Sequence, residues 1–327
     1  MGSSNREETE VTIIIPNYNG SGYIEDCLKS IERQDIPVKT IIVDNGSSDD
    51  SIDIIKKKFP WVELVELGIN TGFAHGVNVG IRQAQTEYIF LLNNDTILQN
   101  NTTSQLLKAI KHYKDAFSIS SKMIALKGEH LIDDTGDYYC ALGWAFTQGK
   151  DQPNNTFNKR KKVTSACAGA AIYKKSLLEK VGMFDDAHFC YLEDVDLGLR
   201  ARIYGYNNYY EPGAVVYHVG SATSGSRHNA FKVRLTSANN LYMIYKNMPA
   251  LMLIINLPLI IVGIVIKQFY FVKKHLGKAH FLGLIDGFKK IFTNNKKHVG
   301  INSRNLGNYV KLQIELWINC FKRIFTL

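Results

Sequence analysis

The sequence predicts an α/β protein whose core is a mainly parallel sheet. Four apolar runs, at 11–15, 40–43, 62–67 and 88–92, alternate with segments of helical spacing at 23–33, 51–59 and 74–84. Strand and helix recurring at that interval make βαβ units, and the crossover connection runs neighbouring strands parallel. Two of the apolar runs also stop abruptly at an acid. Thr40-Ile41-Ile42-Val43 ends in Asp44, and Tyr88-Ile89-Phe90-Leu91-Leu92 is followed by Asn93-Asn94-Asp95. Open α/β sheets build their ligand sites at the C-terminal ends of strands. Two carboxylates delivered there imply a nucleotide held against a metal.

Taken in order, the first strand is closed by Pro16 and Asn17. Asp49 and Asp50 suit the cap and first turn of the helix after the second strand. In the helix at 74–84, Val77 and Ile81 share a face with Ala74 and Ala84 close by, enough to lie on a sheet. The glycine-rich stretch 68–80 lacks the GxGxxG spacing, so no dinucleotide cofactor is expected. From about 118 to 220 the regularity fades into short strands and glycine-containing loops, with a basic insert at 159–162 read as a solvated loop. A helix is expected over 194–204. No internal repeat is present.

Hydrophobic and charged fractions of 45% and 21% are those of a globular chain of 327 residues, long enough for one large core or two smaller ones. The net charge of +9 is unevenly placed: residues 267–327 hold twelve Lys and Arg against two acids, Asp286 and Glu315, so the remainder is nearly neutral. Five scattered cysteines without CxxC spacing suggest neither a zinc site nor a disulfide framework and suit a reducing compartment. Residues 1–10 are polar and acidic, expected to be disordered, and carry no apolar signal-peptide core.

Residues 250–266 are nearly unbroken apolar sequence, interrupted by Asn256, Pro258 and Gly263. At about 1.5 Å per residue they reach roughly 26 Å, against a bilayer core of about 30 Å. Spanning, re-entrant and interfacial placements all fit. Further on, Lys311, Glu315, Asn319 and Lys322 fall on one helical stripe while Leu316, Trp317, Ile318, Phe321, Ile324 and Phe325 cover the rest. A basic amphipathic helix of this kind is expected to bind a membrane surface.

Five motifs occur in order: Ile13-Ile14-Ile15-Pro16-Asn17-Tyr18-Asn19; Val43-Asp44-Asn45-Gly46-Ser47-Ser48-Asp49; Asn70-Thr71-Gly72-Phe73-Ala74 with Asn78 and Gly80; Leu91-Leu92-Asn93-Asn94-Asp95; and Glu193-Asp194-Val195-Asp196. Over residues 10–245 this pattern resembles glycosyltransferase family 2, and within it the rhamnosyltransferase-like enzymes of bacterial cell-surface polysaccharide assembly. The resemblance implies a GT-A fold, with a Rossmann-like mainly parallel sheet, a mixed acceptor-side half and a C-terminal helical membrane-associating region. It further implies a dTDP- or UDP-sugar donor, a divalent cation, Mg2+ or Mn2+, and inversion at the anomeric carbon. The corresponding division is 11–117 for the nucleotide-sugar half, 118–245 for the acceptor and catalytic half, and 246–327 for membrane association.

Asp95 is the first metal ligand on this reading, since hard cations take carboxylate oxygens. The family usually writes this site Asp-x-Asp; here Asn93 stands first, keeping hydrogen-bonding capacity for a ribose hydroxyl without a charge. His218, in Val215-Val216-Tyr217-His218, is the second candidate ligand by the family pattern, or else a residue that closes a strand. Asp44 either reads the N3–H of uracil or thymine, with Pro16 and Tyr18 shaping the same pocket, or is a turn carboxylate. Asn70, Gly72 and Asn94 complete the nucleotide-sugar set. Inverting transfer needs one general base near the acceptor, and Asp194 matches the family's acidic dipeptide. Its place in the first turn of a helix favours the charged form, an argument that applies equally to Glu193. Asp196 precedes Arg200 by four residues and suits an ion pair.

Gly169 allows close backbone approach or a tightly packed strand; Trp144, Tyr138 and Tyr139 either stack on a sugar or are buried; Arg227 and His228 are candidate diphosphate contacts on a lid. The expected function is transfer of a sugar, L-rhamnose from dTDP-rhamnose being the first candidate, to a lipid-linked or polysaccharide acceptor at the cytoplasmic face of the cell membrane. A nucleotidyltransferase would use similar acids, but would be expected to carry an early Gly-rich basic loop, and residues 16–22 hold no Lys or Arg. A non-catalytic membrane-anchored sugar-nucleotide binding module is the third reading. Nucleic acid is not an expected partner, because apolar residues interleave the basic tail.

Overall fold

The computed structural model describes residues 9–220, 229–293 and 300–324. Its first half follows the predicted alternation: β1 (Val11–Asn17), α1 (Ile24–Glu32), β2 (Val38–Asp44), α2 (Ser51–Lys58), β3 (Glu63–Glu66), α3 (Phe73–Gln83) and β4 (Tyr88–Leu92). These strands lie in the order β3-β2-β1-β4, every pair parallel. β4 is buried along its whole length, as a central strand covered on both faces must be. Ile13 and Ile15 point into one apolar layer with Ile24 and Leu28 of α1, while Ile14 points into the other with Val77 and Ile81 of α3. Gly80 brings α3 close to the sheet, since a Cβ there would stand 2.5 Å from Ile14. The end of the N-terminal segment expected to be disordered is tied down: the Glu10 carbonyl accepts from Tyr88 N at 3.1 Å, and its carboxylate pairs with Lys111.

The chain then continues through β5 (Thr96–Leu98), α4 (Thr102–His112), β6 (Ala116–Ala125), β7 (Ile132–Asp134), β8 (Asp137–Cys140), β9 (Trp144–Thr147), β10 (Lys161–Val163), β11 (Ala170–Lys174), α5 (Lys175–Val181), a 3-10 turn (Asp186–His188), α6 (Glu193–Ile203) and β12 (Asn207–His218). The sheet does not stop at residue 117: β11 pairs antiparallel with both β4 and β6, and β6 runs parallel to β12. The result is one ten-stranded mixed sheet with a separate β8–β9 hairpin.

Two expectations are corrected here. The stretch after 118 is not merely short strands, because β6 has 10 residues and β12 has 12. Their apolar signal is diluted by polar residues that are buried and hydrogen-bonded: Ser118 Oγ donates to Asn208 Oδ1 at 2.7 Å, Ser121 Oγ to Ala170 O at 2.8 Å, and Lys122 Nζ to Thr156 O at 2.7 Å. The basic insert is only partly a solvated loop: Lys159, Arg160 and Lys162 are exposed, but Lys161 and Lys162 belong to β10. Arg160 pairs with the buried carboxylate of Glu211, and Lys161, on edge strand β10, lies 4.8–5.4 Å from the ring centres of Tyr138, Phe157 and Tyr210. Burial lowers the Lys161 ammonium to about 8, as expected of a cation whose solvent has been replaced by aromatic faces.

Helices α7 (Ala230–Asn247), α8 (Ala250–Lys273), α9 (Gly277–Thr293) and α10 (Leu306–Ile324) complete the fold. α8 is long and apolar enough to cross a bilayer, yet one stripe of it, Met252, Asn256, Ile260 and Gly263, is buried against the protein. A Cβ on Gly263 would fall 2.0 Å from Leu142 O, so the helix backbone lies directly on the turn of the β8–β9 hairpin. α9 approaches α7 in the same way, through Gly283 and Gly287.

α10 packs on the body through part of its polar stripe. Asn319 is fully buried and donates to Tyr139 O at 2.9 Å; Glu315 pairs with Arg202 at 2.6 Å and accepts from Thr164 Oγ1 at 2.9 Å. Glu315 and Asn319 therefore dock on the body while Lys311 stays exposed, and Val310, Ile314, Trp317, Ile318, Phe321 and Ile324 face outward. Phe325 lies outside the described residues. Substituting Leu316, 0% exposed, by Ala is expected to cost about 2–5 kcal/mol. Ile318→Ala should change stability by less than about 0.5 kcal/mol. Urea denaturation of the two variants checks which face of α10 is core; equal costs would contradict this orientation.

Candidate active site

A cavity of about 970 Å³ opens where β1 and β4 end, walled also by β7, the start of β8, the end of β12 and the starts of α6 and α7. Register sets its floor. Asn17 is paired with Asp44 across β1 and β2, and its amide donates to Asp44 Oδ2 at 2.8 Å and Ser51 Oγ at 3.0 Å while its oxygen accepts from Asn94 at 2.7 Å. Three strand ends are thus tied by one buried side chain. Asp44 also accepts from the amides of Gly46 at 2.9 Å and Ser47 at 2.8 Å and from Ser47 Oγ at 2.6 Å. Fully buried and saturated, it shapes the turn and is absent from the cavity wall, where Asn45 stands instead.

Pro16, Tyr18, Asn70, Gly72, Asn93 and Asn94 all line the cavity. Gly72 has φ +86°, and a Cβ on it would meet Phe189 at 2.5 Å, so both conformation and space require glycine there. Asn45 holds this loop by accepting from Thr71 Oγ1 at 2.9 Å. The close approach at Gly169 is to Asn93: the Asn93 amide donates to Gly169 O at 2.8 Å, and a Cβ would lie 3.0 Å from the Asn93 side chain.

Asp95 and His218 are distant in sequence and adjacent in space. β12 pairs antiparallel with β5 so that His218 faces Thr96, and Val219 N donates to Asp95 O at 3.0 Å. His218 Nε2 consequently lies 3.2 Å from Asp95 Oδ1. The other ring nitrogen, Nδ1, is 2.6 Å from Asp133 Oδ2, and Lys150 Nζ is 2.5 Å from Asp133 Oδ1. Burial opposes protonation of His218, but the two carboxylates prevail and raise it to about 9. Asp133 is pushed up by burial and pulled further down by His218 and Lys150, and settles well below the usual carboxylate range.

Asp194 also lines the cavity, in the first turn of α6. Its Oδ2 accepts from Ala168 N at 3.1 Å and its Oδ1 from Val195 N at 2.8 Å. Contrary to the helix-terminus argument, burial outweighs these amides and raises its pKa. Glu193, beside it on the same wall, is raised well above the usual range by burial and by Asp194.

Asp196 is not on the wall. It is fully buried, 2.9 Å from both Arg200 and Lys246, with Asn247 donating to it at 2.7 Å. Asp185, His188 and Asp196 have the composition of a metal cluster, but Lys246 already bridges the two acids, at 2.5 Å from Asp185. Burial lowers His188 to about 4, so its ring is neutral. The cluster is a charge network joining α6 to α7.

Tyr138 and Tyr139 are buried, the latter donating to Asn240 Oδ1 at 2.9 Å, and Trp144 donates to Gly263 O at 3.2 Å; none of the three lines the cavity. Arg227 and His228 lie outside the described residues. Sequence reading missed Asn45, Asp133, Asp134, Asp137 and Lys150 on the wall. The only available signal was an acid pair, Asp133-Asp134, after a short apolar run.

The model of Glycosyl transferase family 2 matches residues 12–182, which hold the parallel strands and the acids at their ends. The chain belongs to that family. It is similar to poly-beta-1,6-N-acetyl-D-glucosamine synthase of Staphylococcus epidermidis, 25% identical over 236 residues, 68% of this chain and 53% of the relative. The same synthase of Staphylococcus aureus is 27% identical over 235 residues with the same coverage. The chain thus spans about half the length of these curated relatives, which are named for an N-acetylglucosamine polymer rather than for rhamnose transfer. In fold it resembles GalNAc-T7 solved with UDP, GalNAc and Mn2+ (TM-score 0.60, 12% identity, 74% of this chain and 48% of that one). It also resembles the Pyrobaculum calidifontis mannosyltransferase PcManGT solved with GDP-Man and Mn2+ (TM-score 0.54, 16% identity, 88% of each chain). These likenesses give the GT-A-like α/β fold.

Asp196→Ala would leave Lys246 and Arg200 buried without their shared counter-charge, which is expected to cost about 3–5 kcal/mol. A urea midpoint that barely moves would contradict the structural role.

Proposed function

We propose that this chain is a metal-dependent, inverting glycosyltransferase that takes a UDP- or dTDP-sugar and works at the cytoplasmic face of the cell membrane. The observation that carries the reading is the presence on one cavity wall of Asp95 and His218, 3.2 Å apart, together with the buried carboxylate Asp194. A carboxylate oxygen and an imidazole nitrogen form a donor set suited to Mn2+, with Mg2+ served by the carboxylate. Asp133 engages Nδ1 of His218 and leaves Nε2 turned to Asp95, the usual arrangement for an imidazole that holds a metal. Both structural neighbours were solved with a nucleotide and Mn2+, which supports the same reading.

Asp95 and His218 would hold the metal, which would supply compensation for the charge that develops on the leaving diphosphate. Asp194 takes the proton of the acceptor hydroxyl as that oxygen bonds to the anomeric carbon and the bond to diphosphate breaks on the opposite face. Its raised pKa makes it a stronger base than an exposed aspartate. Pro16, Tyr18 and Asn70 bear on the uracil or thymine, Asp44 acts through the turn that presents Asn45, and Gly72, Asn93 and Asn94 border the ribose and sugar. The rhamnosyltransferase-like motif pattern makes dTDP-rhamnose one donor to test, and the named relatives make UDP-N-acetylglucosamine the other.

Attachment to the membrane is proposed through the outer faces of α8, α9 and α10. α9 exposes Phe281, Ile285, Phe288 and Phe292 on one stripe, and α10 exposes Trp317, Ile318 and Phe321. Because one stripe of α8 is committed to the body, the helix is proposed to lie in the interface plane rather than to span, with the local excess of Lys and Arg favouring anionic lipid.

Asp194→Asn should lower transfer about 10²- to 10⁴-fold with donor affinity retained; near-normal turnover would move the base elsewhere. Asp95→Ala and His218→Ala should both weaken Mn2+ binding followed by the electron paramagnetic resonance of free Mn2+, and chelator should abolish transfer. Activity that survives chelator would remove the metal from the mechanism. In flotation with anionic vesicles, Trp317→Ser combined with Phe321→Ser should leave more protein unbound, most clearly at high salt. Unchanged flotation would place attachment on other faces.

A further inference from the structure

The segment that delivers Asp194 to the cavity has a strained backbone. Phe189, Tyr191 and Leu192 have φ of +61°, +70° and +66°, the left-handed region that large side chains avoid. Phe189 is the centre of a γ-turn, with ψ −67° and Cys190 N donating to His188 O at 2.7 Å. Such a conformation persists only where the surroundings enforce it. Phe189, Cys190, Tyr191 and Leu192 all line the cavity, directly ahead of Glu193 and Asp194. Phe189 also abuts Gly72, so the segment runs from the Gly72 loop to the proposed base.

Two side chains from outside the segment hold it. Asn239 of α7, fully buried, places its amide nitrogen 2.8 Å from His188 O, 2.9 Å from Cys190 O and 2.8 Å from Tyr191 O. Lys290 of α9 donates to Asn239 Oδ1 at 2.6 Å and to Ala187 O at 2.7 Å. The carbonyls of Ala187, His188, Cys190 and Tyr191 are therefore taken by this pair, and that of Phe189 by Ala74 N at 3.1 Å. Lys290 also fixes the orientation of the amide, since an ammonium on its oxygen leaves the nitrogen for the carbonyls. On α9, Lys290 points about 200° away from Phe288 and Phe292. The helix thus exposes an apolar stripe and reaches the segment with another face.

We propose that Asn239 and Lys290 are positioning residues for the transfer: together they hold residues 187–192 in their strained course and so set where Asp194 stands. This makes α9 part of the catalytic apparatus as well as a face for lipid. The inference rests on the transferase reading and deepens it, by assigning to the reaction two residues that do not line the cavity.

Cys190 lies inside the segment and reports on it. Burial pushes its thiol up to about 12, so it alkylates slowly while the segment is in place. Cys27, also raised to about 12 by burial, sits in the core beneath α1 and reports on the fold as a whole. The full chain is treated with N-ethylmaleimide, and labelling of each cysteine is followed by peptide mass spectrometry. Lys290→Met keeps the length of the side chain and removes both donated bonds; it should raise the Cys190 rate about tenfold or more with Cys27 unchanged. Lys290→Arg, which restores the donors, should stay within about threefold of wild type. Nucleotide release from UDP-N-acetylglucosamine and dTDP-rhamnose is measured with Mn2+, water standing in for the acceptor. Its kcat should fall about tenfold or more in Lys290→Met and Asn239→Ala, with nucleotide affinity within about twofold of wild type. Unchanged Cys190 labelling in Lys290→Met, Cys27 labelling that rises in parallel, an unchanged kcat, or Lys290→Arg as loose as Lys290→Met would each overturn the proposal. Wild-type protein that releases nucleotide from neither donor would instead count against the transferase reading, and the labelling would still decide whether the pair holds the segment.

Discussion

The structure depends on how β12 is paired. This one strand runs parallel to β6 along most of its length and antiparallel to β5 at its end. The first pairing adds β12 beyond β6 in the half of the sheet that β11 joins, antiparallel, to β4; the second sets His218 beside Thr96 and therefore beside Asp95. Side chains alternate across a strand, so a slip of one residue would turn His218 to the opposite face. The ladder between Val216–His218 and Thr96–Leu98 is thus what brings two residues 123 positions apart to 3.2 Å.

A second constraint is the division of buried charge. Asp196 is surrounded by Arg200, Lys246 and Asn247 and remains ionised. Glu193 and Asp194, three and two positions earlier, receive no such cations and are raised. One short acidic sequence in the first turn of α6 therefore serves two ends: a fixed anion that ties α6 to α7, and carboxyls of higher basicity facing a cavity. Helix periodicity separates Asp194 from Asp196, since successive residues point about 100° apart.

The C-terminal helices join these layers to an apolar exterior. Polar groups commonly face water in an amphipathic helix, but here Asn319, Glu315 and Asn256 hydrogen-bond inward, to Tyr139, Arg202 and Gln313. Burying polar residues and exposing apolar ones is costly in water and reasonable against lipid, where the outside is the less polar solvent. The same inversion explains why α10 belongs to the body through Leu312 and Leu316 while presenting Trp317 and Phe321.

Much of the first half was legible in the sequence. Continuous apolar runs, alternating with helical spacing, located β1 to β4 and α1 to α3 to within a few residues, because each element's signal is local and its burial nearly complete. Asp95, Asn93 and Asp194 stood out because they follow such elements at a recognisable place. β6 and β12 were obscured by serine, asparagine and lysine whose hydrogen bonds come from distant segments, so no local pattern could identify them as core. Asp133 and Lys150 acquire meaning only when β7 pairs with β6 and brings them against His218. Asp44 was offered by sequence order to a base; in the fold its Oδ1 accepts from the turn amides of Gly46 and Ser47, and its Oδ2 from Ser47 Oγ and the Asn17 side chain. The sequence by itself determined the βαβ half, the acids at its strand ends and the apolar tail, since each is a property of neighbouring residues. Tertiary structure alone decided which acids are paired, which way the tail helices face and which residues share the cavity, because these depend on contacts between segments that are far apart in the chain.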